Sequence, residues 1–279
     1  MKNIYFIKIG FFLKKDVPLK NIAEVDLGIV KYFGNFSEYF KNIHDSKNPV
    51  NYSVSYPYPK AIQLKTNNSH ELIYPKGRML FVTFKTYDSD FVFEINKLFG
   101  NPFSKDFVNI NGQIHIQDLF ENFLPNAEIN KREFKFNPKY KSLSPVVISF
   151  NKEEKDGKDL SKTMYYTEKD FMIRKFNAIQ KIKNNLIRKI KTYPEIQLKL
   201  NHLVEELEKE DFDFIKDLKV INKAPITVNY KNAKIPAAKL LFEIDGNSKA
   251  QDLTYVMDCL GAGEKQGLGF GYVIQDKEK

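Results

Sequence analysis

The stretch from Gly261 to Gly271, GAGEKQGLGFG, places the strongest constraint on how this chain folds. Five of the protein's 13 glycines lie within it, and glycine is the one residue that adopts a positive φ without steric cost. An apolar run with helical spacing comes before the stretch, and the apolar Tyr272, Val273 and Ile274 come after it. The pattern predicts a helix, then a loop that turns sharply more than once, then a short strand.

The spacing of these glycines differs from that of two familiar phosphate-binding loops. A dinucleotide-binding loop needs a helix and an acidic residue about 20 positions later, but the chain ends soon after Gly271. A Walker loop needs Gly-Lys followed by Ser or Thr, whereas Gly267 is followed by Leu268 and Gly269. Two interpretations stay open: a loop that offers backbone N–H groups and the Lys265 cation to a polyanion, or a tight connection whose glycines serve geometry alone.

Hydrophobic periodicity in the first half of the chain switches between strand and helix. Apolar residues that alternate predict strands, and apolar residues three and four apart predict helices. In chain order the predicted elements are a strand Asn3–Leu13, a helix Leu19–Ile43, strands Ala61–Leu64 and Met79–Phe84, a helix Asp88–Phe99 and a strand near Gln113–Leu119. This is the element order of a ferredoxin-like domain.

The second half of the chain repeats this order. The predicted elements are a strand after Ser144-Pro145, a helix Thr167–Lys191, strands Lys219–Tyr230 and Ala238–Ile244, a helix Lys249–Leu260 and a last strand after the glycines. The stretch Glu195–Phe214 fits either a strand or a helix. We therefore predict an α+β protein made of two tandem ferredoxin-like (βαββαβ) domains, which comprise residues 1–143 and 144–279.

The composition favours a polyanionic partner over a membrane. Lys and Arg number 44 against 35 Asp and Glu, a net charge of +9, which attracts nucleic acid. No apolar run approaches the roughly 20 residues that span a bilayer, and we interpret the apolar N-terminus, which Lys8 interrupts, as a strand and not a signal peptide. Because Cys259 is the one cysteine, we expect no internal disulfide, no cysteine-ligated zinc and a cytoplasmic location.

The glycine stretch resembles the C-terminal signature of a known superfamily. Its pattern, G-x-G-E-K-x-x-L-G-F-G followed by apolar residues, is similar to that of the repeat-associated RNA-binding (RAMP) superfamily of CRISPR systems, especially the precursor-RNA-cleaving endoribonucleases. The segment Ser142–Ser149, SLSPVVIS, resembles the entry to the second domain of that family. The resemblance implies that the loop binds CRISPR repeat RNA. The residues that we assign to RNA binding in the loop are Gly261, Gly263, Lys265, Gly267 and Gly269.

One of the four histidines differs from the other three. His70, His115 and His202 show no spacing typical of a metal site, whereas His44 lies near the end of the first predicted helix. A helix C-terminus stabilises an imidazolium, and imidazole titrates near neutrality, which suits proton transfer to or from an RNA hydroxyl. The segment also resembles the family pattern I/L-H-x-x-K-x-P-x-x-F/Y-x-x-S. The matching residues are His44, Lys47, Pro49, Tyr52 and Ser55.

The resemblance implies cleavage inside the repeats of precursor CRISPR RNA, with no metal and no cofactor. A 2′-hydroxyl attacks the adjacent phosphate and leaves a 2′,3′-cyclic phosphate and a 5′-hydroxyl. In this hypothesis His44 transfers protons as general base or acid, and Lys47 offsets charge on the phosphorane. Some family members carry a lysine just after the proline, and this chain carries Val50 there, so the cationic role falls to Lys47, to Lys41 or to a lysine elsewhere, or is absent. The nucleophile is oriented by one of three tyrosines, Tyr32, Tyr39 or Tyr52.

The long helix predicted in the second half is basic. Eight basic residues against two acidic ones lie between Glu168 and Lys191. Either they form a solvated face, or some of them line a groove that holds phosphates. The residues that we assign to RNA binding in this helix are Arg174, Lys175, Arg188 and Lys189.

Other functions stay open at this stage. A non-catalytic member of the same superfamily would hold repeat or guide RNA within an effector complex. A general RNA-binding ferredoxin-like protein is a more distant alternative, since the sequence contains no RNP-type aromatic strand. The sequence also leaves open whether the chain forms a homodimer or joins other CRISPR effector-complex proteins.

Overall fold

A computed structural model of the chain describes residues 1–13, 16–18, 29, 33–34, 37–45, 50–55, 65–66, 72–77, 79–99, 120–123, 128–149, 168–223, 226–230 and 233–276. The strands are β1 (Asn3–Leu13), β2 (Val17–Pro18), β3 (Tyr52–Val54), β4 (Lys65–Thr66), β5 (Leu72–Tyr74), β6 (Met79–Thr86), β7 (Phe120–Phe123), β8 (Glu128–Glu133), β9 (Lys139–Ser142), β10 (Ile215–Val220), β11 (Ile226–Tyr230), β12 (Ala233–Ala237), β13 (Leu240–Ile244) and β14 (Val273–Gln275). The helices are α1 (Glu38–Asp45), α2 (Ser89–Phe99), α3 (Glu168–Thr192), α4 (Pro194–Gln197), α5 (Val204–Lys209) and α6 (Ser248–Leu260).

The first domain is an antiparallel sheet with helices on one face. Its strands follow the spatial order β3-β6-β1, and both β7 and β8 pair with β1. The register sets Ile7 opposite Phe84 and Ile9 opposite Val82. These four side chains are buried and pack with the helix residues Phe40, Phe91 and Ile95. Alternation in a strand thus directs every second residue of β1 and β6 into one core.

The second domain repeats the arrangement with the sheet order β10-β13-β9-β14. The helices α3 and α6 pack with this sheet, and the core includes Ile182, Leu186, Leu218, Phe242 and Leu253. In both domains the strand that follows the first helix lies at the sheet edge, and the third and first strands lie inside, as in a ferredoxin-like fold. The prediction of an α+β protein with two tandem ferredoxin-like domains is confirmed.

Several elements differ in detail from the predictions. The first strand of the second sheet is Lys139–Ser142, which lies before residue 144, where we placed the domain boundary. Val146 and Val147 form isolated bridges with Ala238 and Glu264 and not a strand, because the preceding Pro145 has no N–H to donate to a ladder. The boundary between the domains therefore stays a prediction.

The stretch between α3 and β13 also differs from the prediction. The ambiguous part contains two short helices, of which α4 starts with Pro194 at its first turn, where a proline is favoured. The predicted strand Lys219–Tyr230 is divided into β10 and β11, and β11 pairs with β12 in a separate ribbon. The predicted strands Ala61–Leu64 and Gln113–Leu119 lie outside the described residues, and the predicted helix Leu19–Ile43 is described only at Ile29, Phe33–Gly34 and from Ser37 onward.

Helix α6 lies between the two domains. All its residues from Asp252 to Leu260 are buried, which is typical of a helix that is covered on every side. The Tyr255 hydroxyl donates to the carbonyl of Asn3 (3.0 Å), and the Ser53 hydroxyl donates to the carbonyl of Cys259 (3.0 Å). The helix therefore belongs to the second domain and packs on the sheet of the first.

A buried ion pair joins the domains at the same helix. Lys85 of β6 is 0% exposed and Asp258 of α6 is 1% exposed, and the Nζ–Oδ1 distance is 2.5 Å. Lys85 Nζ also donates to the carbonyl of Val273 in β14 (2.5 Å). The second carboxylate oxygen of Asp258 accepts from Arg132 Nη2 (3.2 Å) and from the Tyr140 hydroxyl (3.4 Å).

Candidate RNA interface and active site

The glycine stretch is a loop held in left-handed backbone conformations. Gly261, Gly263, Gly269 and Gly271 have φ angles of 75°, 74°, 82° and 72°, and Lys265 has a φ of 61°. Only glycine adopts such angles without strain. A short 3₁₀ turn, Gln266–Leu268, forms the tip of the loop. The dense glycine pattern therefore has a conformational cause.

The base of the loop packs tightly against the segment that enters the second domain. A Cβ atom at Gly271 would lie 1.9 Å from the carbonyl oxygen of Ala262, and one at Gly263 would lie 2.5 Å from that of Val147. The N–H groups of Gly271, Glu264 and Ala262 donate to the carbonyls of Pro145, Val147 and Gly271 at 2.8 to 2.9 Å. These N–H groups are therefore engaged within the protein and are not offered to a phosphate.

Side chains close the base of the loop further. The Glu264 carboxylate accepts from the Ser149 N–H (3.1 Å) and from the Ser149 hydroxyl (2.8 Å). The Gln266 amide donates to the carbonyls of Ala262 and Gly263. Lys265 is exposed, and Gly267 and Leu268 are half-exposed. The part of the loop that faces solvent is thus Lys265, Gly267 and Leu268 at its tip, whereas Gln266 between them is buried.

The tip of the loop touches the segment that follows the His44 helix. A Cβ atom at Gly267 would lie 3.4 Å from Val50 Cγ1 and 3.5 Å from the Tyr52 hydroxyl. Leu268 and Phe270 pack in the same core as Tyr52. The two sequence segments that carry the family resemblance, distant in the chain, are therefore neighbours in the fold.

His44 lies in the last turn of α1. It precedes Val50 by six residues, so their Cα atoms are at most about 22 Å apart. Val50 lies beside the loop tip at Gly267, and the position of the His44 side chain relative to that tip stays a prediction. Lys47 and Tyr32 lie outside the described residues.

Tyr39 belongs to a polar network that the sequence did not reveal. Its hydroxyl donates to Asp88 Oδ2 (2.5 Å), and the Asn51 amide donates to the same carboxylate oxygen (2.6 Å) and to the Tyr39 oxygen (2.9 Å). Burial, together with the hydrogen bond to Asp88, raises the pKa of Tyr39 well above its usual range. Tyr39 therefore stays protonated near neutral pH and acts as a hydrogen-bond donor, not as a base.

Tyr52 is a core residue as well as a neighbour of the loop. It is 1% exposed, and its ring centroid lies 5.7 Å from that of Phe84 and 5.4 Å from that of Phe91. Only its hydroxyl end approaches the loop tip at Gly267. The role predicted for Tyr52, orientation of the nucleophile, stays a prediction.

The basic residues predicted on α3 do not form one groove. Lys189 is fully buried, and its ammonium donates to the carbonyls of Leu260 (3.1 Å) and Gly261 (2.8 Å). A buried ammonium with these partners is not available to a phosphate, so Lys189 takes a structural role in place of the predicted RNA contact. Lys175 pairs with Asp217, which lowers the pKa of that carboxyl. Arg188 is exposed.

Arg174 belongs to α3, but its side chain lies outside the described part of the chain. Of the three assigned residues whose side chains the structure describes, Lys175, Arg188 and Lys189, Arg188 is the most accessible. In the sequence, Lys189 stands beside the apolar Ile190, as many surface lysines on an amphipathic helix also do. The pattern of charges therefore does not distinguish a buried lysine from an exposed one.

Two tandem ferredoxin-like domains, with a glycine-rich loop that closes on the segment after a histidine-bearing helix, define a CRISPR-associated protein of the RAMP superfamily. Residues 125–274 match a family model described as CRISPR associated protein Cas6, C-terminal. This match covers more than half of the chain. The chain therefore belongs to the Cas6 family, and the superfamily that the sequence resembles is confirmed.

Solved structures support the fold. An RAMP protein that binds different RNA substrates has a TM-score of 0.63 and 14% sequence identity. A CRISPR associated protein Cas6 has a TM-score of 0.61 and 18% identity, and a Cas6-related protein from Pyrococcus furiosus has a TM-score of 0.57 and 16% identity. Each comparison covers 98% of this chain and 100% of the other. No curated protein sequence matches the chain.

Two absences apply to the described residues alone. Within them, no helix has the length and apolar character that crossing a bilayer requires. In the same part of the chain, no three His, Cys, Asp or Glu side chains come together in a group that would hold a metal ion.

Proposed function

We propose that this protein is a metal-independent endoribonuclease that cleaves precursor CRISPR RNA within its repeats. At the level of the family, the function is the binding and processing of CRISPR RNA. The observation that carries the proposal for this chain is the position of Gly267, where an added Cβ atom would lie 3.4 Å from Val50 Cγ1 and 3.5 Å from the Tyr52 hydroxyl. Val50 and Tyr52 follow His44 in the same segment, and this segment supports our assignment of the neighbouring glycine loop to RNA binding.

The proposed cleavage assigns a separate role to the histidine, to the lysines and to the RNA itself. An imidazole at the C-terminal end of α1 is stabilised in its protonated form by the helix dipole, so His44 can both accept and donate a proton near neutral pH. The RNA supplies its own nucleophile, the 2′-hydroxyl. The exposed Lys265, together with Lys47, offsets the negative charge on the phosphate that is attacked. The products are a 2′,3′-cyclic phosphate and a 5′-hydroxyl.

Tyr39 and Tyr52 have supporting roles in this scheme. Tyr39 cannot act as a base because its pKa is raised, and its hydroxyl already donates to Asp88. Its hydrogen bond with Asn51 fixes the residue just before Tyr52, where β3 begins. The base of the loop, including Gly261, Gly263 and Gly269, sets the loop's shape, and the tip with Lys265 and Gly267 meets the RNA.

The first experiment is incubation of the purified protein with its cognate repeat RNA in EDTA. A second RNA carries a single 2′-deoxy at the cut position. We expect cleavage in EDTA that the 2′-deoxy abolishes, because the 2′-hydroxyl is the nucleophile. Cleavage of the 2′-deoxy RNA at the same bond would contradict the proposal.

His44→Ala tests the general acid or base. We expect cleavage to slow by about 10²-fold or more, since this is the usual contribution of proton transfer by a positioned side chain, while RNA affinity stays nearly unchanged. Single-turnover cleavage and equilibrium binding on the same RNA separate the two effects. A variant that cleaves at the wild-type rate would remove His44 from the mechanism.

One observation favours a second function, a non-catalytic protein that holds repeat or guide RNA. Val50 stands where some relatives carry a lysine, and it packs against Gly267 rather than presenting a charge. In this case the wild-type protein binds repeat RNA tightly in EDTA and leaves it intact. The same incubation therefore distinguishes the two functions.

A further inference from the structure

The two carboxylate oxygens of Asp88 bind different partners. Asp88 lies between β6 and α2, directly before Ser89, the first residue of α2. Its Oδ1 atom accepts from the Asp90 N–H (2.8 Å), which caps the start of the helix. Its Oδ2 atom accepts from the Tyr39 hydroxyl (2.5 Å) and from the Asn51 amide (2.6 Å). Only the first of these contacts serves α2 itself.

The two partners of Oδ2 belong to α1, which carries His44, and to the start of β3. Tyr39 precedes His44 by five residues in α1, about 7.5 Å along the helix axis. Asn51 directly precedes β3, which begins at Tyr52, and its amide also donates to the Tyr39 hydroxyl (2.9 Å). One carboxylate oxygen therefore joins α1 to the start of β3, and His44 lies in the chain between its two partners.

The backbone of Asn51 is held at the same place as its side chain. Its carbonyl accepts from the Thr86 hydroxyl (2.8 Å), which in turn accepts from the Asp88 N–H (3.0 Å). Asn51 is 5% exposed, and hydrogen bonds away from water are electrostatically stronger than those in water. Tyr52, the next residue, approaches the tip of the glycine loop. Asn51 therefore has a defined position relative to Asp88 on one side and to the loop tip on the other.

We propose that Asp88 is a positioning residue of the nuclease, which fixes the His44 helix relative to the glycine loop through Tyr39 and Asn51. This inference rests on the proposed function, because it concerns the same reaction. Apolar contacts between a helix and a sheet are not directional, whereas hydrogen bonds have a defined length and angle. Since a proton is transferred only within hydrogen-bond reach, an error of about 1 Å in the placement of α1 is enough to slow cleavage.

A second hydrogen bond between the same helices provides the matched control. The Ser37 hydroxyl, directly before α1, donates to Glu94 Oε2 of α2 (2.6 Å). In the described part of the chain neither residue hydrogen-bonds to Asn51 or to β3. Tyr39→Phe and Ser37→Ala each remove one hydroxyl that binds a carboxylate of the α2 segment, but only Tyr39→Phe removes a partner of Asn51.

The first test compares cleavage with RNA binding in three variants. Asp88→Ser removes the second oxygen and keeps the helix cap, since serine caps a helix about as well as aspartate does. We expect Asp88→Ser and Tyr39→Phe to slow single-turnover cleavage of repeat RNA by about tenfold to 10²-fold, with RNA affinity unchanged, and Ser37→Ala to cleave at the wild-type rate. Wild-type rates in Asp88→Ser and Tyr39→Phe, equal slowing in Ser37→Ala, or a parallel loss of affinity would overturn the inference.

Combined variants separate positioning from a general loss of structure. Because Tyr39 acts through the Asp88 carboxylate, Asp88→Ser with Tyr39→Phe should cleave no more slowly than Asp88→Ser alone. In the His44→Ala background neither substitution should slow the residual cleavage further, since the side chain that the network positions is gone. Effects that multiply in either combination would contradict the proposed role, because a general loss of structure adds to the loss of His44.

The imidazole NMR signal of His44 tests the inference without cleavage. The chain has four histidines, and the signal that is absent from His44→Ala identifies His44. In the RNA-free protein we expect this signal to shift in Asp88→Ser and Tyr39→Phe and to stay in place in Ser37→Ala. A signal that Asp88→Ser leaves unchanged overturns the positioning role, whether or not the wild type cleaves. A wild-type protein that does not cleave, but whose His44 signal depends on Asp88, contradicts the nuclease and supports the positioning of α1.

Discussion

Lys189 shows how a buried lysine can fix the start of the glycine loop. Its ammonium donates to the last carbonyl of α6 and to that of Gly261, where the glycine loop begins. A cation at a helix C-terminus is favoured by the helix dipole. Burial, with a contribution from Arg188, lowers the pKa of Lys189 well below its usual value. These two hydrogen bonds therefore hold the backbone at Gly261, the first residue of the glycine loop, in place.

Replacement of Lys189 by Met should loosen the loop base. A hydrogen bond that involves a charged group contributes about 1.5–3 kcal/mol, so we expect the amide protons of Ala262 and Glu264 to exchange with solvent at least about tenfold faster. Hydrogen exchange of the RNA-free protein measures this. Arg188→Met is the control, because Arg188 is adjacent in sequence but exposed, and it should leave the exchange of these amides unchanged.

The same residue predicts a dependence of stability on pH. Since the folded pKa of Lys189 lies below the model-peptide value of 10.5, the unfolded chain binds more protons between the two pKa values, and the free energy of unfolding rises with pH in that window. Lys189→Met lacks this group. The difference in unfolding free energy, wild type minus variant, should therefore increase toward pH 10.5 in denaturant titrations. A difference that falls with pH would contradict the lowered pKa of Lys189.

At the scale of single residues, the sequence identified types of chemistry better than it identified roles. His44 and Tyr52 were singled out by a motif, and the structure brings their segment to the glycine loop. Asn51 and Asp88 were missed, because no spacing in the sequence signals a hydrogen bond between the start of a strand and a residue after another strand. Long-range polar pairs of this kind follow from the fold and not from local pattern.

At the scale of elements, the glycine loop is a structure that few other sequences allow. Gly271 combines a φ of 72° with a Cβ position only 1.9 Å from a backbone oxygen, whereas Gly77 has a φ of 71° and no atom within 4 Å of its Cβ position. The two glycines therefore separate the effect of backbone strain from the effect of close packing.

We expect Gly271→Ala to destabilise the protein far more than Gly77→Ala does. A left-handed conformation at a residue other than glycine costs about 1–2 kcal/mol, which is the whole effect expected at Gly77. At Gly271 the backbone must also move away from the new methyl group, which adds several kcal/mol. Chemical denaturation of both variants measures the difference, and equal losses would show that the loop base is not packed as described.

Long periodic elements were predicted well and short ones were not. The apolar positions of α3 repeat over many turns, and the structure has this helix at Glu168–Thr192, close to the predicted bounds. The short helices α4 and α5 and the β11–β12 ribbon were missed or merged. A segment of four to six residues contains one turn or one pair of alternations, so its local pattern is weak and tertiary contacts decide its conformation.

At the scale of the whole molecule, α6 ties the two domains together through charged groups. Besides the pair with Lys85, its residue Asp252 is buried and accepts hydrogen bonds from Lys2 and from the Asn201 N–H (2.7 Å). Because Lys2 and Lys85 belong to the first domain, two carboxylates of α6 join the second domain to the first. This connection could not be predicted from the sequence. An apolar helix that contains two aspartates can equally be a helix whose aspartates face the solvent.

The Lys85–Asp258 pair should therefore contribute far more than a surface ion pair. Lys85→Met leaves Asp258 buried with its partly exposed partner Arg132, and the removal of one partner of a buried pair typically costs about 3–5 kcal/mol because the other charge is left uncompensated. The matched control is Lys191→Met, which removes the pair with Glu208 (2.6 Å), whose side chains are 52% and 40% exposed. Pairs of that kind contribute about 0–1 kcal/mol.

Urea denaturation of the two variants, at equal salt, measures both losses. A double variant, Lys85→Met with Asp258→Leu, completes the design: replacement of both charges by apolar groups of similar size should recover much of the stability, because no charge is then left buried by the loss of Lys85. Because Arg132 and Tyr140 also contact Asp258, the recovery is partial. If Lys85→Met cost no more than Lys191→Met, the Lys85–Asp258 pair would not be what fixes the second domain against the first, and the apolar packing and the remaining polar contacts of α6 would hold them together.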